Sequence, residues 1–294
     1  MALSSRARRS YHWPRGPSAM PLPDPQHKRY MKKRDIVVKA NCYIFLILLL
    51  LSGNGMASEK YPSVPESALK GIVRTNLDSP EPTNEQLKRK EKYTKLVASL
   101  NVPVSESLPV IEDSKSIKPR SAEEIAKRAI AVAVAAVKGE GMPHDEVMGI
   151  VKEWGIASYF SPEELQFITK PNVTDQERIK FAWRYEGLDV LLWALGYKTD
   201  LPAPNQICNV KDDVGVIVNN KGILLTNKSK LRSTNEMLDM ADYYYRLHWA
   251  AIELRLNGKT SENIDEEIIM ERHYALNWLI RYMGQEWDDI TTDT

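Results

Sequence analysis

The run from Thr174 to Leu195, TDQERIKFAWRYEGLDVLLWAL, constrains the fold more than any other stretch of the chain. Thr174 and Glu177 have the spacing of a capping box, whose hydroxyl and carboxylate satisfy the opening backbone N–H groups of a helix. Gly196 supplies a stop. Between them Phe181, Tyr185, Leu188, Leu192 and Leu195 form one helical stripe, and Trp183, Gly187, Val190 and Ala194 form another. A helix that is apolar nearly all round is stable only where neighbours cover it on every side. The chain must therefore wrap a core around this segment. Arg184, between Trp183 and Tyr185, then has little exposed face to occupy.

The covering elements announce themselves in the same way. Ser121 with Glu124, Ser161 with Glu164 and Ser233 with Glu236 repeat the capping-box spacing ahead of apolar-periodic runs. The helix after Ser121 has Ile125, Ala129, Val132 and Ala136 on one stripe, and HDEVMGIVKEW offers Val147, Ile150, Val151 and Trp154. A long helix is expected from Ser233 to about Leu256, and a last one from about Ile264 to Met283, ended by Gly284. TNEQLKRKEKYTKLVASL reads as a charged helix. The exception is VGVIVNNKGILLTN, where Val214, Val216 and Val218 alternate, NNKG offers turn chemistry, and Ile223 and Leu225 alternate back. That pattern predicts a hairpin. The expected fold is mainly α: a single helical domain of about six to eight helices with a small β-hairpin insert near 214–226.

Ahead of this domain the composition changes. Residues 1–57 hold ten Lys/Arg against two Asp/Glu, which leaves 30 bases and 37 acids for the rest. An acidic body lacks the basic footprint of a nucleic-acid binder. From Met31 a basic stretch leads into an apolar run, Cys42 to Leu51, and then small residues ending at Ala57. The run is short for a membrane span, which takes about 20 residues, and suits a signal peptide over 31–57 cut after Ala57. Residues 1–30 read as a disordered extension or a mis-chosen start, and 58–94 as a proline-rich tether with the charged helix. The domain proper is expected over 95–294. Export to a periplasmic or secreted location follows, with an uncleaved leader as the only route to a membrane. Cys208 alone remains after cleavage, so no intramolecular disulfide is expected.

The candidate chemistry sits on the last two helices. Ile264, Ile268, Glu271, Ala275, Trp278 and Tyr282 follow one helical face, which places a carboxylate in an apolar stripe. A buried charge needs a partner, and Arg184, Arg246 and Arg272 are the candidates. On the preceding helix Asp239, Asp242, Arg246 and Glu253 share a side, with His248 one turn beyond Tyr244. Glu271, His248, His273 and Asp288 are the candidate acid–base residues. Arg184, Glu186, Asp239, Asp242, Arg246, Arg272, Asn277, Asp289 and Trp287 are the candidate binding or structural network. One reading gathers these acids and imidazoles into a pocket with the tail aspartates, for catalysis or a divalent metal. The other closes them on each other as ion pairs within a helical bundle. No HExxH, P-loop, GxGxxG, GxSxG or Cys–Cys spacing supports the first reading, and neither metal nor cofactor is expected.

RSAEEIAKRA, SPEELQF, FAWRYEGLDVLLWALGY, LRSTNEMLDMADYYYRLHWA, ERHYALNWL and WDDITTDT resemble, in this order, the family of domain of unknown function 4272 over roughly residues 95–294. The resemblance implies one mainly helical domain. It marks Arg184, Glu186, Asp239, Arg246, His248, Glu271, Arg272, His273, Asn277, Asp288 and Asp289 as its polar positions, and it implies no reaction. The expectation is a non-catalytic exported binding or interaction module of the cell envelope, with an envelope protein or a small-molecule ligand as partner. The alternative is an enzyme or metal-binding protein using Glu271, His248, His273, Arg184, Arg246 and the tail aspartates.

Overall fold

The computed structural model describes residues 81–221, 223 and 231–294; the expected leader, the proline-rich tether and most of the second hairpin arm lie outside them. The elements run α1 (Asn84–Ala98), α2 (Ala122–Glu140), α3 (His144–Trp154), a 3-10 turn (Ala157–Tyr159), α4 (Pro162–Thr169), α5 (Asp175–Trp183), α6 (Tyr185–Ala194), α7 (Val210–Asn219), α8 (Thr234–Leu256) and α9 (Glu266–Leu279). Two 3-10 turns, Tyr282–Gly284 and Trp287–Asp289, close the chain. Every expected capping box forms: Ser121, Ser161, Thr174 and Ser233 each accept from the backbone of the glutamate three residues on, which reaches back in return. Thr83 does the same with Gln86 at the start of α1.

The apolar run from Thr174 divides at Arg184. There the Arg184 N–H bonds the Phe181 carbonyl (3.2 Å), an i→i−3 closure that tightens the helix locally and separates α5 from α6. All ten residues of α6 are buried. Helices α2, α7 and α9 pack on it, α2 also packs on α4 and α5, and α8 bridges α9 to α1. α1 is therefore bound into the helical body, with Arg89, Tyr93 and Val97 buried. Where α2 crosses α5 the backbones nearly touch. A Cβ on Gly139 would stand 2.7 Å from the Ala182 nitrogen and 2.8 Å from the Arg178 carbonyl oxygen. Among the described residues no helix is long and apolar enough to cross a membrane.

The hairpin expectation is corrected. Residues 210–219 form helix α7, Ile223 lies in no strand, and no strand occurs among the described residues. The alternating valines misled because VGVIV also satisfies helical spacing, with Val214 and Ile217 turned inward three residues apart. The deciding residues precede the valines. Asn209 caps α7 by accepting from the Asp212 N–H, and in the helix Asp213 turns inward to an ion pair with Lys198.

Candidate functional site

Because α6 is covered on all sides, each charge it carries must be answered by another side chain, and the answers come from α9 and the loops. Glu186 lies on the second residue of α6 and meets Arg272 of α9, whose Nε and Nη2 donate to the same carboxylate oxygen at 2.9 and 2.8 Å. Its other oxygen accepts from the Cys208 N–H (2.9 Å). Arg272 places its remaining donors on the Pro202 and Gln206 carbonyls (both 2.7 Å) and the Tyr244 hydroxyl (2.9 Å). All five guanidinium N–H groups are thereby used, which makes complete burial of this arginine sustainable. Burial raises the Glu186 pKa, and Arg272 opposes the rise.

Glu271, one residue earlier on α9, turns to Arg184 instead. The Arg184 Nη1 donates to its Oε2 at 3.0 Å. The guanidinium lies 4.1 Å from the Tyr274 ring centroid, and Trp287 folds over the same group. Trp287, expected beyond a helix stop among acids, is buried edge-on to Tyr274 and Trp278. The next residue, Asp288, accepts from the Glu163 N–H (2.8 Å) in the first turn of α4, whereas Asp289 is exposed. Asp242 and Arg246, one turn apart on α8, form an i,i+4 pair, bidentate at 2.8 and 2.9 Å. Asp239 accepts from Arg89, Lys92 and the Tyr93 hydroxyl of α1 at 3.0, 3.1 and 3.0 Å. Glu271, Asp288 and Asp289 do not converge with the histidines on one pocket.

Three buried clusters went unread in the sequence. Arg128 pairs with Glu164 (2.8 Å). Lys138, buried in α2, donates to the Phe167, Ile168 and Lys170 carbonyls at 2.6 to 2.9 Å and so completes the end of α4. Lys198 donates to both Asp189 and Asp213, the latter at 2.6 Å. Burial and the neighbouring Asp189 push Asp213 up to about 7. Asp189 was open to the reasoning used for Arg184, since it too lies on a helix without an exposed face. Asp213 was hidden by the strand reading.

The two histidines meet each other. His248 of α8 and His273 of α9 stand with Nδ1 atoms 3.1 Å apart and rings edge to face, both buried. One nitrogen must donate and the other accept, so the contact requires the accepting ring to be neutral. Burial, reinforced by Arg255, holds His248 down at about 4; burial, reinforced by His248, holds His273 down at about 3. His273 also bonds Asn277, whose amide nitrogen donates to the Thr291 carbonyl (2.9 Å).

His273 and Asn277 form the floor of a cleft of about 530 Å³. Tyr245 and Ala241 of α8 make one wall, Pro109–Glu112 the other, and Tyr282 and Asp293 stand at the rim. The second wall belongs to no regular element, yet side chains hold its carbonyls. Gln86 binds Ile111 (2.6 Å), Arg89 binds Glu112 (3.2 Å), Lys90 binds Leu108 (2.7 Å) and Glu106 (2.6 Å), and Arg246 binds Pro109 (3.3 Å). The cleft is thus pre-formed, with one wall pinned to α1 and α8. Among the described residues no group of three or more His, Cys, Asp or Glu side chains is placed to hold a metal ion.

A family model described as a domain of unknown function (DUF4272) matches residues 89–290, and the chain belongs to that family. No curated protein and no solved structure matches the chain.

Proposed function

We propose, from the premise of a DUF4272 domain, that this protein is an exported, non-catalytic binding module of the cell envelope whose ligand site is the cleft over His273 and Asn277. One observation carries the reading. The acids and arginines that looked catalytic in the sequence are consumed in closed pairs with one another, while the open cleft beside them has one wall pinned by side chains, the other on α8, and a floor of neutral hydrogen-bonding groups. Its volume of about 530 Å³ falls in the range of small-ligand sites. The paired residues then serve as the frame that fixes α6, α8 and α9 under the cleft. The basic and apolar stretch from Met31 to Ala57 supports export, and an exported product beginning at Ser58 by N-terminal sequencing is the expected outcome.

The site is tested by ligand-observed NMR with a fragment library on the purified chain. Hits should compete with one another and disappear in Pro109→Trp, where an indole fills the opening. Hits insensitive to that change would overturn the assignment. About one metal per chain by elemental analysis, lost in His248→Ala or His273→Ala, would replace it with a metal-centre reading.

A further inference from the structure

The cleft is unusual in its charge. Its lining includes Glu112 and Asp293 and no lysine or arginine. Elsewhere the acids met in this fold are answered: Glu186, Glu271, Asp242, Asp239 and Glu164 each hold an arginine. Glu112 and Asp293 have no cationic partner among the described residues. Both stand close enough to the Tyr282 hydroxyl that, after burial, their charges are what raise its pKa. Tyr245 and Tyr282 add two aromatic rings to the lining, and an aromatic face attracts a cation. The one imidazole present, His273, stays neutral at physiological pH and does not offset the acids.

The pinned wall contributes a different kind of group. The N–H and C=O of Val110 make no hydrogen bond within the described residues, although the carbonyls on either side, Pro109 and Ile111, are held by Arg246 and Gln86. A fixed backbone edge with free groups is what an incoming main chain pairs with. A lone amine would use the carboxylates and leave this edge unanswered; a polypeptide uses both.

We propose that the cleft docks a polypeptide segment of a partner that presents a lysine or arginine side chain between Tyr245 and Tyr282, its cation facing Glu112 and Asp293 and its backbone lying along Val110. This rests on the cleft being the binding site. The charge pairs are rim-exposed, so they set preference and salt dependence more than raw affinity.

The test titrates the full chain into fluorescent, capped tetrapeptide pools read by anisotropy, one position being Lys, Arg, norleucine or Glu and the others mixed. The Lys and Arg pools should bind about ten-fold tighter than the norleucine pool, combining two partly exposed ion pairs with a cation–aromatic contact. That advantage should shrink in high salt. Glu112→Gln with Asp293→Asn should abolish it while leaving norleucine binding in place. Val110→Trp and, separately, the exposed-site variant Pro109→Trp should remove all binding. If the norleucine or Glu pool binds as tightly as the Lys pool and both blocking variants abolish it, the cleft stands as the site and the cation assignment fails. If the Lys pool binds undiminished in a blocking variant that retains the parent's melting temperature, or if no pool binds, the peptide docking and the site assignment fall together. If n-butylamine saturates the cleft with the affinity of the Lys pool, the occupant is a free amine and the polypeptide assignment is overturned.

Discussion

Acidification should destabilise this fold through two residues, His248 and His273. Their contact has one Nδ1 donating to the other, so protonating the accepting ring sets N–H against N–H, and protonating the donor puts a charge in a buried place. The folded pKa values, about 4 and about 3, lie below the ordinary value of 6.5. Below about pH 6.5 the unfolded chain therefore binds protons that the folded chain refuses, and stability falls as pH falls. Between pH 7 and pH 5 each histidine should cost about 2 kcal/mol, about 4 kcal/mol together. Asp213 works in the opposite direction: its folded pKa is raised to about 7, so the folded form gains a proton over the same interval. The measurement must separate the two. Urea unfolding followed by tryptophan fluorescence at pH 5, 6 and 7 should be compared between the parent and His248→Gln/His273→Gln. The variant loses the pair at every pH, which offsets its curve, while Asp213 contributes equally to both proteins and cancels in the difference. The parent should lose about 4 kcal/mol more than the variant between pH 7 and pH 5. Parallel stability–pH curves would refute the argument, because they would mean that the histidines do not enter the fold as neutral groups.

Two further perturbations test the frame beneath the cleft. Glu271→Gln leaves Arg184 buried with its charge unanswered, and should cost about 3–5 kcal/mol, lowering the melting temperature by roughly 10 °C for a domain of this size; an unchanged melt would show that the pair does not hold the fold. Gly139→Ala should cost about 1–3 kcal/mol by forcing α2 away from the Ala182 and Arg178 backbone. Gly187→Ala, with its nearest neighbour the Ala275 Cβ at 3.6 Å, should be close to neutral; equal effects of the two alanines in urea unfolding would contradict the contact assigned to Gly139.

Four of the nine helix starts among the described residues were legible in the sequence as capping boxes, because a capping box is a local device: a hydroxyl and a carboxylate three residues apart decide it without the rest of the fold. The burden on Glu271 was legible too, since helical spacing alone puts it in an apolar stripe, and Arg184 was among its named partners. What periodicity does not carry is where a long side chain ends. Glu271 and Arg272 are adjacent, yet they point to different partners, Arg184 at the α5–α6 junction and Glu186 two residues further on. The His248–His273 contact depends on the crossing of α8 and α9, which neither helix encodes by itself. Residues 210–219 failed for a different reason, because five β-branched and glycine positions satisfy two periods at once and the cap at Asn209 decides between them. The cleft was invisible altogether: one of its walls is an irregular segment, and irregular segments have no period to read.

The pinning of that wall bears on where the domain can be said to begin. The family match opens at residue 89, inside α1. The cap at Thr83, the bond from Gln86 to Ile111 and the contacts of Glu85 with Arg89 and Ser114 all lie before it. A chain begun at residue 89 would keep the α6-centred core and the arginine pairs, but it would enter α1 without a cap and leave Ile111 unheld. Such a shortened protein would melt much like the parent while one wall of its cleft had come undone. Thermal stability alone would then pass a domain whose cleft had lost a wall.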